Sequence, residues 1–403
     1  MSRRASGPNW DRRSWTLAWA LVLSALVAGC PTPVDPDPAE PTDPDPGPTA
    51  SAPLGLTVRV TLDGDPAVGV TVGQAGLADR WVTDTSGSAD VLIDRSLEAE
   101  HWVVASHPDA RQSAAEVPED AEDGAALSIE LVRFDRSDNL DYTFRDPGEP
   151  TRRASTEQCA HCHVTINQAW FDSPHRTSSS NPVVHDVYAG ARGAPDEGAC
   201  ESVGGAWRTG VLPGTNAPGE RCYIGDGALA TMNEQCVTGE PCEAIATEFG
   251  GCADCHAPGI DGELGGRDLL EATGLAFDYG VHCDVCHRTE SVDLDAEPGV
   301  AGRLGLMRPS EPGAFGQEFQ PMVFGPFDDV ATPVMGAVAR DLFHQALLCA
   351  GCHEQQQPVL VPGQAVDPTR WPDGRLPIHT TFSEWRDGPM NPAAPCHCAD
   401  HMS

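Results

Sequence analysis

Four segments of the 403-residue chain repeat one pentapeptide, C-x-x-C-H: Cys159-Ala-His-Cys162-His163, Cys252-Ala-Asp-Cys255-His256, Cys283-Asp-Val-Cys286-His287 and Cys349-Ala-Gly-Cys352-His353. Two thiols one helical turn apart can both form thioether bonds to the vinyl groups of one porphyrin. The next residue then directs an imidazole at the iron, so the pattern is the signature of c-type haem attachment. Paired C-x-x-C segments also build four-cysteine zinc sites, but zinc does not require histidine at the fifth position. With 14 His in 403 residues, histidine at all four places by chance is on the order of one in a million. The spacing therefore predicts four covalently attached haem c groups, with Cys159, Cys162, Cys252, Cys255, Cys283, Cys286, Cys349 and Cys352 as attachment residues. His163, His256, His287 and His353 follow as proximal iron ligands.

Such sites need a scaffold, and the composition bounds it. A chain of 403 residues has room for a targeting segment and two domains. Gly 41, Pro 36 and only 6% aromatic residues point to much irregular backbone, with a bulky cofactor filling what aromatic side chains would otherwise fill. The formal charge of -35 repels phosphate backbones, and no basic cluster outside the first 13 residues offsets it, which excludes nucleic acid as a partner. From Leu54 to Phe134 apolar residues alternate with polar ones (Leu56, Val58, Val60 and Leu62 against Thr57, Arg59 and Thr61) and turn residues punctuate short runs. Six or seven strands in about 80 residues predict a small β-sandwich. His101 and His107 lie there without paired cysteines and are read as structural or surface residues. After Asp135 the alternation fades while Cys and His become frequent. The predicted architecture is multidomain, an all-β sandwich followed by a mostly α and irregular multihaem domain, with boundaries at 1–29, 30–53, 54–134 and 135–403.

Of the 15 cysteines, Cys200, Cys222, Cys236, Cys242, Cys396 and Cys398 lie outside the motifs and outside Cys30. The first four sit in a Gly-rich insert that could hardly build its own core, and disulfides Cys200–Cys222 and Cys236–Cys242 are the preferred of three possible pairings. The Ser173-Pro174-His175 segment has no accompanying carboxylate or oxyanion signature, so nucleophilic catalysis has no support.

The N-terminus, with Arg3, Arg4, Arg12 and Arg13, an apolar stretch from Trp15 to Ala28 and then Val27-Ala28-Gly29-Cys30, resembles a bacterial lipoprotein signal. That resemblance implies export, lipidation at Cys30 and a membrane anchor facing the periplasm or cell exterior. The alternative is an uncleaved anchor helix. The Pro/Asp alternation of residues 31–53 reads as an extended tether. The sandwich resembles carboxypeptidase-regulatory or transthyretin-like modules. Over residues 140–403 the four motifs together with WFDSPH, GPFDD, CAGCHE and TFSEWRDGP resemble the tetrahaem and pentahaem cytochromes of the nitrifier type. That superfamily includes hydroxylamine oxidoreductase and cytochrome c nitrite reductase. Relatives often carry a further C-x-x-C-H-M near the end. Here Cys398 and His401 take outer positions but no cysteine directly precedes His401, so a fifth attachment stays open.

The resemblance implies closely spaced haems and His175 as a distal ligand, with His344 and His379 as further candidates and His185, His282 and Met335 behind them. His161, inside a motif, and His282, abutting Cys283, are read as solvent-facing. The function that follows is extracytoplasmic electron transfer with redox proteins as partners. The alternative is reduction or oxidation of a small nitrogen or sulfur compound at a haem with an open coordination site.

Overall fold

The computed structural model describes residues 52–96, 101–152, 155–189, 195–202, 205–212, 215, 217–223, 251–310, 321–332, 334–358, 367–372, 374–389 and 391. Cys30 and the lipoprotein signal, the Cys236–Cys242 pair, Cys396, Cys398 and His401 fall outside them.

The first eight strands are β1 (Leu54–Leu62), β2 (Asp65–Pro66), β3 (Thr71–Gln74), β4 (Arg80–Val82), β5 (Ser88–Ile93), β6 (Trp102–His107), β7 (Ala110–Glu116) and β8 (Ala125–Leu131). Along β1 every second side chain is buried, from Leu54 through Leu56, Val58 and Val60 to Leu62, because a strand turns alternate residues to opposite faces. One sheet runs β2-β1-β5, with β8 pairing parallel to β1, and the other runs β4-β3-β6-β7. Their inner faces share one core that includes Val58, Val72, Ile93, Val103 and Leu131, each at most 1% exposed except where it meets the rim. Each fully buried aliphatic side chain of this kind contributes ~1.5–3 kcal/mol. The β1–β2 hairpin turns through Asp63 (φ 55°) and Gly64 (φ 88°), the positive φ pair that matches the twist of adjoining strands.

Beyond Phe134 the structure is a set of two-stranded pieces joined by very short helices. Antiparallel pairs form between β9 (Ala206–Val211) and β10 (Pro218–Tyr223), and between β11 (Thr289–Val292) and β12 (Leu304–Leu306). β13 (Met322–Gly325) runs parallel to β14 (Gly336–Ala339), and β15 (Gln355–Pro358) antiparallel to β16 (Arg375–His379). The helices are α1 (Cys159–Cys162), α2 (Val164–Phe171), α3 (Pro182–Ala189), α4 (Glu197–Ser202), α5 (Cys252–His256), α6 (Gly274–Tyr279), α7 (Cys283–Cys286), α8 (Leu347–Ala350) and α9 (Thr381–Asp387). Among the described residues none exceeds eight residues. The expectation of a mostly α domain is thereby corrected: over the described residues as a whole strand outweighs helix, and beyond Phe134 short helices are interleaved with small strand pairs. The physical reason is local. His163 leaves the helical region at φ -90°, ψ 52°, Gly280 turns to φ 49° at the end of α6, and Gly388 ends α9 in extended geometry, so no helix propagates far past its costly first turn. No described helix is long and apolar enough to cross a membrane.

Residues 51–403 group as one unit. The sandwich is clamped to the later region through Arg80, which meets Asp328 at 2.7 Å and Asp329 at 3.3 Å. Gln112 adds a second clamp, donating to the Phe327 carbonyl at 2.7 Å and accepting from Val330 N–H at 2.8 Å. The GPFDD segment therefore serves as a docking edge for the sandwich.

Candidate functional site

Each C-x-x-C-H segment is pinned by the residue after its first cysteine. Ala160, Ala253, Asp284 and Ala350 are all at most 3% exposed, whereas every motif cysteine keeps some or much of its surface open. Burial of that small side chain seats the turn and leaves the sulfurs at its rim.

The first motif rests on the Asp146-Pro147-Gly148 turn. Ala160 N–H donates to the Pro147 carbonyl at 2.9 Å, buried Asn167 reaches the same carbonyl at 3.1 Å, and Gln158 reaches the Asp146 carboxylate at 2.6 Å. The third motif is built around Asp284. Its carboxylate accepts from the Tyr142 hydroxyl at 2.7 Å, Arg145 N–H at 2.9 Å and Arg288 Nε at 3.1 Å. Burial pushes the Asp284 carboxyl up, but the Arg288 charge and the two further donors outweigh it and hold the group below the usual carboxylate range. Because segment 142–148 touches both motifs, it braces the first against the third.

The second motif carries a buried acid in its other variable position. Asp254 accepts from Gly266 N–H at 2.9 Å, and burial outweighs its backbone hydrogen bonds and raises its pKa to about 6. The fourth motif is tied to the second by Gly299, whose N–H donates to the Gly351 carbonyl at 2.8 Å. Gly299 sits at φ 80°, and a side chain there would meet the Asp254 carbonyl oxygen at 2.5 Å, so this close backbone approach requires glycine.

These braces gather the four motifs into one series. The Cys159 and Cys283 thiols are hydrogen-bonded to each other, which lowers the pKa of Cys159 and raises that of Cys283. Cys286 lies within electrostatic range of Cys349. Cys255 is hydrogen-bonded to Cys352, a contact that together with burial raises the Cys255 pKa. The spatial order is first, third, fourth, second. His287 donates from Nδ1 to the Phe324 carbonyl at 2.6 Å and stacks on Phe343 at 5.7 Å, leaving Nε2 as its other nitrogen. His353 Nδ1 lies 3.2 Å from His379 Nε2, and the exposed His175 ring stands edge-on to His353 at 5.8 Å. Burial lowers the pKa of His353, with His379 and His175 adding to the effect, and burial also lowers His256 and His287.

The other candidates are dispersed. Exposed His344 donates from Nε2 to the Pro326 carbonyl at 2.9 Å. His163 is exposed and within electrostatic range of His287, and Met335 is half-buried. Buried His185 is a satisfied core residue, 3.0 Å from the Tyr223 hydroxyl and 2.7 Å from the Ser179 carbonyl. The solvent-facing reading of His282 is corrected: it is fully buried against Phe144, its ring nitrogens without a hydrogen-bond partner among the described residues. Cys200 and Cys222 form a disulfide across 22 residues of sequence, linking α4 to β10. Asp254 and Asp284 were missed by the sequence reading. An acid between two cysteines at a C-x-x-C turn is the signal that could have found them.

The expected four haem c groups do not fit this packing. Among the described residues no group of three or more His, Cys, Asp or Glu side chains is placed to hold a metal ion. The cofactor expectation, including the fifth haem left open, is corrected accordingly.

No known protein family matches the sequence, and no curated protein does. Similar solved structures include a type II cohesin–X-dockerin complex from Acetivibrio cellulolyticus (17% identity, 20% of this chain and 59% of that one, TM-score 0.17). Others are the C-terminal domain of the PapC usher (18% identity, 19% of this chain and 98% of that one, TM-score 0.15) and a DUF3823 family protein from Parabacteroides merdae (15% identity, 21% and 48%, TM-score 0.16). The chain thus spans less than two thirds of the cohesin–dockerin chain it resembles, and likenesses this slight carry no argument about fold or function.

Proposed function

We propose that the chain transfers electrons outside the cytoplasm, as a membrane-tethered protein whose redox-active part is the cluster of C-x-x-C-H segments. One observation carries the reading. Segments that begin at Cys159, Cys252, Cys283 and Cys349 are far apart in sequence, yet the fold ties their turns together, the first to the third through residues 145–147 and the second to the fourth through Gly299. A purely structural use of cysteine would close the sulfurs, as at Cys200–Cys222, whereas these eight are free thiols at a half-open rim.

The surrounding residues suit that role. Buried first positions fix each turn, and the braces through residues 142–148 and Gly299 fix adjacent turns against each other, so the reacting atoms need little rearrangement. Lipidation at Cys30 and the tether of residues 31–53 would hold the body at a membrane surface, in the compartment where redox-active cysteines meet oxidants. The charge of -35 would steer a basic redox protein to the cluster.

Membrane vesicles carrying the full chain test this by mediated coulometric titration. The proposal expects reversible uptake and release of electrons in proportion to the protein present, and release of the protein from the membrane by Cys30→Ser. A folded chain that takes up none refutes it.

A further inference from the structure

Two of the four tyrosines, Tyr188 on α3 and Tyr223 at the end of β10, are buried side by side with ring centroids 5.9 Å apart. Each phenol meets its own proton acceptor. The Tyr223 hydroxyl lies 3.0 Å from His185 Nδ1, and His185 Nε2 lies 2.7 Å from the Ser179 carbonyl. A carbonyl only accepts, so Nε2 carries the ring proton. In the neutral ring that burial favours, Nδ1 then accepts from the Tyr223 hydroxyl. The Tyr188 hydroxyl donates at 2.6 Å to the Asp268 carboxylate, which is also ion-paired with Arg208. A buried phenol needs only a hydrogen-bond acceptor, which a backbone carbonyl would supply. These two instead face an imidazole and a carboxylate, groups that can keep a proton. Burial pushes both phenols up, Tyr223 to about 12, so neither gives up its proton as a simple acid near neutral pH. Gly210 leaves open the space that the Tyr223 hydroxyl occupies, and the Arg221 guanidinium lies 5.5 Å over the Tyr223 ring, opposing any positive charge there. The second C-x-x-C-H turn packs on the same core through Cys252, Ala253 and Ala257.

We propose that Tyr223 and His185 form a one-electron redox site at which electron and proton leave the phenol together, with Tyr188 and Asp268 joining it to the second motif. The site rests on the electron-transfer reading for the electron that restores it, while radical formation itself is tested separately. The oxidant is an alkoxyl radical derived from an organic peroxide, which takes one electron from Tyr223 and one proton from solvent and ends as an alcohol. The Tyr223 O–H bond breaks and its proton passes to His185 Nδ1, leaving a neutral phenoxyl beside an imidazolium whose Nε2–H still donates to Ser179. An electron from Tyr188 then reduces the phenoxyl, which takes its proton back from Nδ1, while the Tyr188 proton shifts to Asp268. One electron from the redox-active part of the protein restores Tyr188, and Asp268 returns the proton. The net result is one oxidising radical quenched by one electron and one solvent proton, with both tyrosines unchanged.

The test uses the exported full chain and photogenerated tris(bipyridine)ruthenium(III) as the one-electron oxidant, with freeze-quenched samples read by high-field electron paramagnetic resonance. The expected signal is a neutral tyrosyl radical whose largest g value is depressed by the hydrogen bond from His185. That signal should be lost in Tyr223→Phe, which removes a single oxygen atom. It should also lose most of its yield in His185→Gln, which can still hydrogen-bond but cannot hold the proton. In Tyr188→Phe the radical should form and live longer, because its route to the second motif is cut. Near-ultraviolet circular dichroism and the retained Cys200–Cys222 disulfide report that each variant is folded. A tryptophanyl radical in place of the tyrosyl one, a signal unchanged in Tyr223→Phe, or an undiminished yield in His185→Gln would overturn the proposal. An unchanged lifetime in Tyr188→Phe would overturn the relay. The Tyr223 radical in a chain that exchanges no electrons would sink the electron-transfer reading and leave the tyrosine–histidine site standing. Electron exchange without that radical would sink the site and leave the reading standing.

Discussion

Replacing Asp284 by Asn should destabilise the protein by about 3–5 kcal/mol, the cost of stranding one partner of a buried ion pair. The magnitude follows from the surroundings. Asp284 and Arg288 have side chains 2% and 0% exposed, and Arg288 Nη1 and Nη2 find no other partner among the described residues. An Asn carbonyl can still accept from Tyr142 and Arg145, so the loss isolates the uncompensated Arg288 charge. An exposed pair such as Arg152–Glu149, with side chains 78% and 27% exposed, contributes only ~0–1 kcal/mol by comparison. The assay is urea denaturation of the wild type, Asp284→Asn, Arg288→Met and the double variant. The double variant should cost clearly less than the sum of the two singles, because removing both charges leaves none stranded. The pH dependence has a definite sign. The folded carboxyl titrates below its unfolded value, so its stabilisation is complete above about pH 4 and is lost as pH falls through the lower folded pKa. A loss under about 1 kcal/mol for Asp284→Asn, or additive singles, would refute the view that this ion pair organises the third motif.

Cys200→Ser should cost about 3 kcal/mol, since the Cys200–Cys222 bridge spans 22 residues of sequence, and an unchanged urea midpoint would contradict that. Gly299→Ala should cost about 1–3 kcal/mol in the same assay, because its φ is 80° and the new methyl meets the Asp254 carbonyl at 2.5 Å; a neutral effect would remove Gly299 as the brace between the second and fourth motifs. Asp254 titrates in the opposite sense to Asp284. Its folded pKa near 6 lies above the unfolded value, so its contribution is complete below about pH 4 and is lost as pH rises through 6. Asp254→Asn should flatten the stability profile between about pH 4 and 6, and an unchanged slope would show that another group sets it.

How much of this could be read from the residues depends on how local each feature is. The alternation of Leu56, Val58, Val60 and Leu62 spells out β1 because burial on one face is written at every second position. Cys200 and Cys222 were legible as a pair because a Gly-rich insert needs a staple. The four C-x-x-C-H segments were legible as chemistry, but their spatial order was not. It is set by contacts such as Pro147 to Ala160 and Gly299 to Gly351, which join residues with no shared pattern. The strand pairs after Phe134 escaped for a related reason. β13 and β14 are four residues each and pair in parallel, so nothing in either alone announces the other. Reading 135–403 as mostly α with much loop expected short helices, and α1, α7 and α8 are four residues each, but it left out the strand pairs that lie between them. The haem expectation failed because a local motif does not say how the fold gathers its side chains, and among the described residues no group of three or more His, Cys, Asp or Glu is placed to hold a metal ion. His185 illustrates the common fate of a histidine between two partners, hydrogen-bonded in a core.

Film voltammetry on the purified, exported full chain, with circular dichroism to confirm that it is folded, tests the central claim most directly. Reversible electron exchange that disappears when the motif thiols are alkylated is the result this account predicts. A folded chain that gives no current, or gives the same current after alkylation, would contradict it.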